Sequence, residues 1–280
     1  MLLLMHLMNF KSIILICQQH QKKFGVLSTI NNRREAIMSN YLVTELIGNG
    51  TYITIDRADC GGLMSDTMAI EFTKLIQGAS MNSKYIVVRS SGSDFCLGRD
   101  SAGRESGRPS DALDAKRRSE VIFNFYGALR HSKIPIISLT QGRALGFGCA
   151  MASVCDITIS EESASFALPE TGHNIMPTMA MSSLIDRVGR KGILYLTYSN
   201  EEIDATTALA FGLVSKVVPD GKLDHHLNLL CKALDKTPMP AILGVKEYTA
   251  NAMSMTIEQA TQFAQNMHAT INTSKGMMGN

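Results

Sequence analysis

Charge is scarce in this 280-residue chain: charged residues make up 19% and the formal net charge is +2. So small a balance gives no long-range field for gripping nucleic acid or an anionic membrane surface. The densest basic run, Lys116-Arg117-Arg118, reads as a solvated helix face. Metal-ligand spacing is also missing. None of Cys17, Cys60, Cys96, Cys149, Cys155 and Cys231 belongs to a CxxC pair, and no Cys or His cluster has the spacing of a zinc site. His225 and His226 are adjacent, so on a helix they diverge by about 100°. A chain this long buries a core without a disulfide framework. The thiols therefore read as reduced, in a cytoplasmic compartment.

Long hydrophobic runs are absent as well. Residues 1–17 are apolar but interrupted by His6 and Lys11, and they fall short of the roughly 20 residues a membrane span needs. No acidic residue precedes Glu35, and Arg33-Arg34 stand just before it. Residues 1–37 are thus an N-terminal extension with two readings: a targeting presequence, or sequence upstream of a start at Met38. No internal repeat and no low-complexity linker divides the rest.

What is present is 45% apolar residues in an alternating strand–helix pattern. Residues 42–47 and 51–55 read as strands around Gly48-Asn49-Gly50, a hairpin signal. Ser65 reads as an N-cap, with Met68, Phe72, Leu75 and Ile76 following at helical spacing. Further strands are expected at 85–89, 135–140, 156–160 and 214–218, and helices at about 111–130, 146–154, 178–188 and 205–211. Repeated β-then-α units predict an α/β fold with a mostly parallel, buried sheet. From Leu223 on the pattern is helical, broken at Pro238 and Pro240. The expected division is a core domain over 38–222 and a helical region over 223–280.

Three segments carry chemistry. Two strands end in glycine-bearing turns, one through Phe95-Cys96-Leu97-Gly98-Arg99-Asp100 and one through Gly142 to Ala150. Glycine lets backbone approach a ligand closely. A helix beginning near Gly146 leaves unpaired N–H groups at its first turn, a ready anion site. Glycines after strands are also ordinary tight turns. The third segment runs Phe166-Ala167-Leu168-Pro169-Glu170. Pro169 biases Leu168 toward extended backbone, and Glu170 sits among apolar neighbours. Such surroundings raise a carboxyl pKa and suit acid–base work near neutral pH. An ordinary surface glutamate is the alternative.

Together these segments resemble the enoyl-CoA hydratase/isomerase family, the crotonase superfamily. Phe95 to Asp100 is similar to its first oxyanion loop. Residues 135–156 resemble its central strand, glycine turn and helix, and Phe166 to Glu170 its catalytic-glutamate segment. Ile203-Asp204-Ala205 through Gly212-Leu213-Val214 resembles the helix–strand signature that follows.

The resemblance implies a ββα superhelix core with a helical C-terminal extension, forming a homotrimer or hexamer through residues 223–280. It implies an acyl-CoA substrate and no separate cofactor or metal. It implies an oxyanion pair at the backbone N–H groups of Arg99 and Phe147, with Glu170 as acid/base. Leu97, Gly98, Gly146, Gly148 and His173 would contact the substrate. One departure stands out: family hydratases carry a second glutamate where this chain has Ala150, which leans the expected reaction toward double-bond isomerisation. Hydrolysis, decarboxylation or a non-catalytic acyl-CoA scaffold remain open. Phe147 replaces a frequent glycine and is expected to shape the acyl pocket. Arg99 points either to a phosphate or to solvent. His173 is either a second polar group or a hydrogen-bonded structural histidine. Met176, Met179 and Met181 are expected in the core or along the acyl pocket.

Overall fold

In the computed structural model, which describes residues 37–38, 41–100 and 107–277, strand pairing begins with β1 (Ile37–Met38) against β2 (Leu42–Ile47). Gly48, at φ +61°, and Asn49 turn the chain into β3 (Gly50–Ile55), so that Ile47 faces Gly50. This is the hairpin that Gly48-Asn49-Gly50 predicts. Helix α1 (Asp66–Asn82) starts where the Ser65 hydroxyl accepts the Met68 N–H at 3.2 Å, satisfying one orphan donor of the first turn. Next come β4 (Tyr85–Ser90), α2 (Ala112–Arg130), β5 (Ile136–Thr140), β6 (Arg143–Leu145), α3 (Phe147–Val154) and β7 (Ile157–Glu161). After β8 (Ser165–Ala167) come α4 (Thr178–Leu184), α5 (Arg190–Ser199), β9 (Ile203–Asp204), α6 (Ala205–Phe211) and β10 (Lys216–Val218). Three helices close the chain: α7 (Leu223–Lys236), α8 (Met239–Ala252) and α9 (Ile257–Asn272). All described residues belong to one compact unit, Arg34–Asn280. The expectations for residues 1–36 lie outside the described residues.

Seven strands form one sheet in the order β1-β2-β3-β4-β5-β7-β10. The β1–β2–β3 pairings are antiparallel, and every pairing from β3 to β10 is parallel. Parallel neighbours need crossovers that lay helices on the sheet faces, so both faces are buried. Period-two alternation divides the strands between two cores. Ile86, Val88 and Ile136 enter the larger core, with Phe72 of α1 and Phe125 of α2. Tyr85, Val87, Ile137 and Leu139 enter the smaller one, closed by Leu227 and Cys231 of α7. A second sheet, β6-β8-β9, holds only short strands. Elements of two or three residues show no hydrophobic period, which is why the sequence does not announce them.

The expected helix over 178–188 ends at Leu184. Arg130 of α2 donates to the carbonyls of Ser182 and Ser183 at 2.8 and 3.1 Å, and binds Asp186 at 2.7 Å. Those late carbonyls are taken by a side chain rather than by a further helical turn. Among the described residues no helix is long and apolar enough to cross a membrane. Nor is any group of three or more His, Cys, Asp or Glu placed to hold a metal ion.

Helix α8 is tied to the sheet by charge. Lys246, 8% exposed, donates to both Asp156 carboxylate oxygens. The same carboxylate accepts the Ile136 N–H at the start of β5, at 2.8 Å, and Arg187 stands 3.6 Å away. Removing one partner of such a buried pair strands the other. Asp156→Ala is expected to lower the unfolding free energy by about 3 to 5 kcal/mol in urea titration. Lys246→Met, which leaves Asp156 with Ile136 and Arg187, should cost clearly less.

Candidate active site

Two turns at the carboxyl ends of the sheet are stitched together by backbone. The N–H groups of Phe95 and Cys96 donate to the Arg143 carbonyl at 3.1 and 3.2 Å, and Leu145 N–H donates back to the Cys96 carbonyl at 2.9 Å. Asp94 accepts from the Arg143 backbone and guanidinium, at 3.0 and 3.1 Å. On the other side, Met64 N–H donates to Gly98 and Asp100 N–H to Met64, at 3.1 and 2.8 Å. The first turn is thus held between β6 and the approach to α1.

Glycine is required at two places here. Gly146 has φ +50°, which side chains rarely adopt, and it caps α3. A Cβ on Gly148 would overlap the Cys96 carbonyl; only a bare backbone lets α3 approach the first turn so closely. Phe147 opens the helix, so its N–H has no intrahelical acceptor. Every residue of α3 is buried, Ala150 included.

Glu170 is set by a third turn. Leu168 before Pro169 lies outside the helical region but short of fully extended backbone (φ −119°, ψ 81°), and a 3₁₀ turn covers Pro169–His173; the proline bias against helical backbone holds there. The Glu170 carbonyl accepts from Ile175 N–H at 2.9 Å, and Asn174 closes the turn in the left-handed region. Thr171 hydroxyl donates to the Thr197 carbonyl at 2.6 Å, and Asn200 accepts the Gly172 N–H at 2.9 Å. Helix α5, which contains Thr197 and leads into Asn200, therefore fixes where the carboxylate points. The carboxyl approaches Gly146: a Cβ there would stand 3.1 Å from Glu170 Oε1.

These three turns surround a cavity of about 370 Å³. Leu97, Gly98, Arg99, Gly146, Phe147, Glu170 and His173 all line it, joined by Ile122, Tyr126, Met179 and Ala180. Gly148 lies behind the wall rather than on it. The Arg99 side chain is largely buried rather than free in solvent. Its guanidinium forms a two-pronged pair with Asp66 at 2.7 and 2.6 Å, and the first turn of α1 favours that acid. His173 makes no hydrogen bond among the described residues, unlike the structural histidine considered above, and stands exposed at the mouth. The Phe147 ring stacks on Phe125 at 5.2 Å and tilts against Tyr126 at 5.5 Å. Of the three methionines, Met179 lines the cavity and Met181 packs on the core. Met176 is 67% exposed and does neither.

Burial raises the Glu170 carboxyl above the ordinary glutamate value; a backbone hydrogen bond and the charge of His173 pull it partly back. Its Oε2 is buried with no hydrogen-bond partner. Burial also pushes Cys96 up to about 12 and raises Cys149. These thiols near the site stay protonated, which argues against a cysteine nucleophile. Tyr126, Ile122 and Ala180 escaped sequence reasoning because they continue the apolar stripes of their helices.

The described residues form an α/β fold whose cavity is lined by two glycine-bearing turns and by one carboxylate, Glu170. The chain belongs to the enoyl-CoA hydratase/isomerase family, which it matches over residues 49–279. It is 27% identical over 232 residues to a Mycobacterium leprae protein named "Probable enoyl-CoA hydratase echA8", covering 80% of this chain and 88% of that protein. A Rhizobium meliloti protein named "Probable enoyl-CoA hydratase" is 32% identical over 163 residues, 55% of this chain and 63% of the relative. Among solved structures, an enoyl-CoA hydratase from Mycobacterium smegmatis superposes with a TM-score of 0.80 at 19% identity, covering 86% of this chain and 94% of that one. Human enoyl coenzyme A hydratase domain-containing protein 3 gives 0.79, also at 19% identity, over 85% and 94%. These superpositions show the crotonase fold.

A raised carboxyl pKa has a stability consequence with a definite sign. The folded state holds the Glu170 proton more tightly than the unfolded state does, so ionising Glu170 at neutral pH destabilises the fold. Glu170→Gln is expected to raise Tm at pH 7 to 8. That gain should vanish as the pH falls below the ordinary glutamate range, where both states are protonated. A Tm at pH 7 below that of the parent protein would contradict the burial reading.

Proposed function

We propose that this protein is an enoyl-CoA isomerase-like enzyme that moves a double bond along a thioester-bound acyl chain through an enolate, with Glu170 as its one acid/base. A single observation carries the reading: Glu170 is the one carboxylate among the described residues that line the cavity, and Ala150 puts only a methyl group where family hydratases carry a second one. Adding water across a conjugated double bond uses one group to position water and another to supply a proton. Shifting a 3-enoyl to a 2-enoyl thioester needs one base, which removes a proton from C2 and returns it to C4.

The thioester oxygen would accept from the backbone N–H groups of Arg99 and Phe147. Each such donor is worth about 3 kcal/mol as charge moves onto that oxygen. That polarisation acidifies C2. The buried, proton-retaining Glu170 is matched to taking up and giving back a proton near neutral pH. Leu97, Gly98 and Gly146 supply the close-packed backbone around the reacting carbons. Coenzyme A enters as part of the substrate, and the proposed steps call for no separate cofactor.

One feature of the cavity favours a second reading. His173 stands at its mouth three residues from Glu170, where it could hold a water and give hydratase-like chemistry. The implied homotrimer or hexamer draws support from the C-terminal helices. No residue of α9 is buried within the single chain, and Leu243, Val245, Met253 and Ile257 are exposed. A cytoplasmic setting rests on the free cysteines alone.

The test is a panel of 3-enoyl- and 2-enoyl-CoA thioesters with products identified. The expected result is 3-enoyl to 2-enoyl conversion that falls at least ~100-fold in Glu170→Gln, with little hydration of crotonyl-CoA. Strong crotonyl-CoA hydration, lost in Glu170→Gln, would favour the hydratase reading. Hydration lost in His173→Ala as well would assign the water to His173.

A further inference from the structure

Tyr126, near the end of α2, has no place in the proposed chemistry, yet it lines the Glu170 cavity. It is 2% exposed, and its ring is wedged between Phe125 and Phe147 at centroid distances of 5.7 and 5.5 Å. Two aromatic contacts leave the ring little freedom to withdraw the hydroxyl. That hydroxyl forms no hydrogen bond among the described residues. Buried tyrosine hydroxyls normally find a partner, because leaving one unpaired in an apolar setting is unfavourable. The neighbouring lining is apolar: Ile122, Met179, Ala180 and the Phe147 ring. Glu170 Oε2 is buried and unpartnered, and it shares the cavity with Tyr126 without bonding its hydroxyl. Burial, reinforced by the nearby Cys96 and Glu170, holds the phenol well above its ordinary titration range. It therefore remains a neutral donor at any working pH.

We infer that the Tyr126 hydroxyl is a specificity group that donates to a second oxygen on the bound acyl chain. The preferred thioester would then carry a hydroxyl or oxo group on that chain rather than bare hydrocarbon. This rests on the acyl-CoA reading of the cavity given above. An apolar pocket discriminates poorly between chains that differ by one hydroxyl. A pocket with a buried, otherwise unpaired donor rejects the chain that lacks the matching oxygen far more strongly. The backbone N–H groups would hold the thioester oxygen, Glu170 would stand over the acidic carbon, and Tyr126 would fix the chain at a third point. Three fixed points set which carbon faces the base, a job that Ala150 cannot share.

The experiment compares hexanoyl-CoA with hexanoyl-CoA thioesters hydroxylated at C3, C4 or C5. Dissociation constants are measured by titration calorimetry on the full chain and on Tyr126→Phe. In the parent protein the best hydroxylated ligand is expected to bind at least ~10-fold more tightly than hexanoyl-CoA. In Tyr126→Phe that ratio should collapse to about 1. The substitution removes a hydroxyl that bonds nothing in the protein, so Tm should hold or rise, and a folded variant is available for the comparison. A ratio near 1 across the series in the parent protein overturns the inference, as does a preference that survives in Tyr126→Phe. If every thioester fails to bind either protein, the acyl-CoA reading itself falls and takes this inference with it. Tight binding without hydroxyl preference sinks the Tyr126 assignment alone.

Discussion

The approach of α3 to the turn after β4 is the constraint on which the site depends. Gly148 stands so close to the Cys96 carbonyl that no side chain fits between them. The same carbonyl accepts the Leu145 N–H, and Cys96 and Ala144 form an isolated parallel bridge. One contact thereby fixes two things: where the first N–H of α3 emerges, and where the Gly98-Arg99 backbone lies beside it. The proposed anion site, made of backbone donors, has no side chain to adjust its geometry. Its precision comes from the packing of the elements that carry it, and here that packing rests on a glycine against a carbonyl.

The remaining parts act as supports for that geometry. Asp66 ties down the Arg99 guanidinium, and in the proposed reading the backbone N–H is what Arg99 contributes. Thr171, Gly172, Thr197 and Asn200 lock the turn that carries Glu170. The carboxyl itself is destabilising where it sits: buried, partly unpartnered and reluctant to ionise. If Glu170 is the proposed base, holding it in an unfavourable environment is an ordinary compromise between stability and function. The charged tie between Asp156 and Lys246 keeps α8 against the start of β5 and stands apart from the cavity's lining.

Much of this was legible in the sequence, for physical reasons that differ by element. The buried strands around Val87 and Ile137 show as apolar runs because both sheet faces are covered. Ser65 announces α1 because a cap needs a short oxygen-bearing side chain. Pro169 announces the turn at Glu170 because it forbids helical backbone before it. The β6-β8-β9 sheet was invisible because its strands are shorter than a readable period. The direction of Arg99 was unreadable because its partner, Asp66, lies 33 residues away in sequence. Tyr126 hid in an apolar helix stripe with Ile122, Phe125 and Leu129; spacing places a residue on a face but says nothing of an unpaired hydroxyl.

The central claim is that Glu170 alone moves protons at the carbon beside a backbone-held thioester oxygen. Proton exchange tests it without assuming which product forms. An acyl-CoA thioester is incubated in D₂O with the protein, and deuterium incorporation at C2 is followed by NMR. The account predicts steady C2 exchange in the parent protein and its loss in Glu170→Gln at unchanged thioester affinity. Exchange that persists at the parent rate in Glu170→Gln would show that another group is the base and would contradict the account.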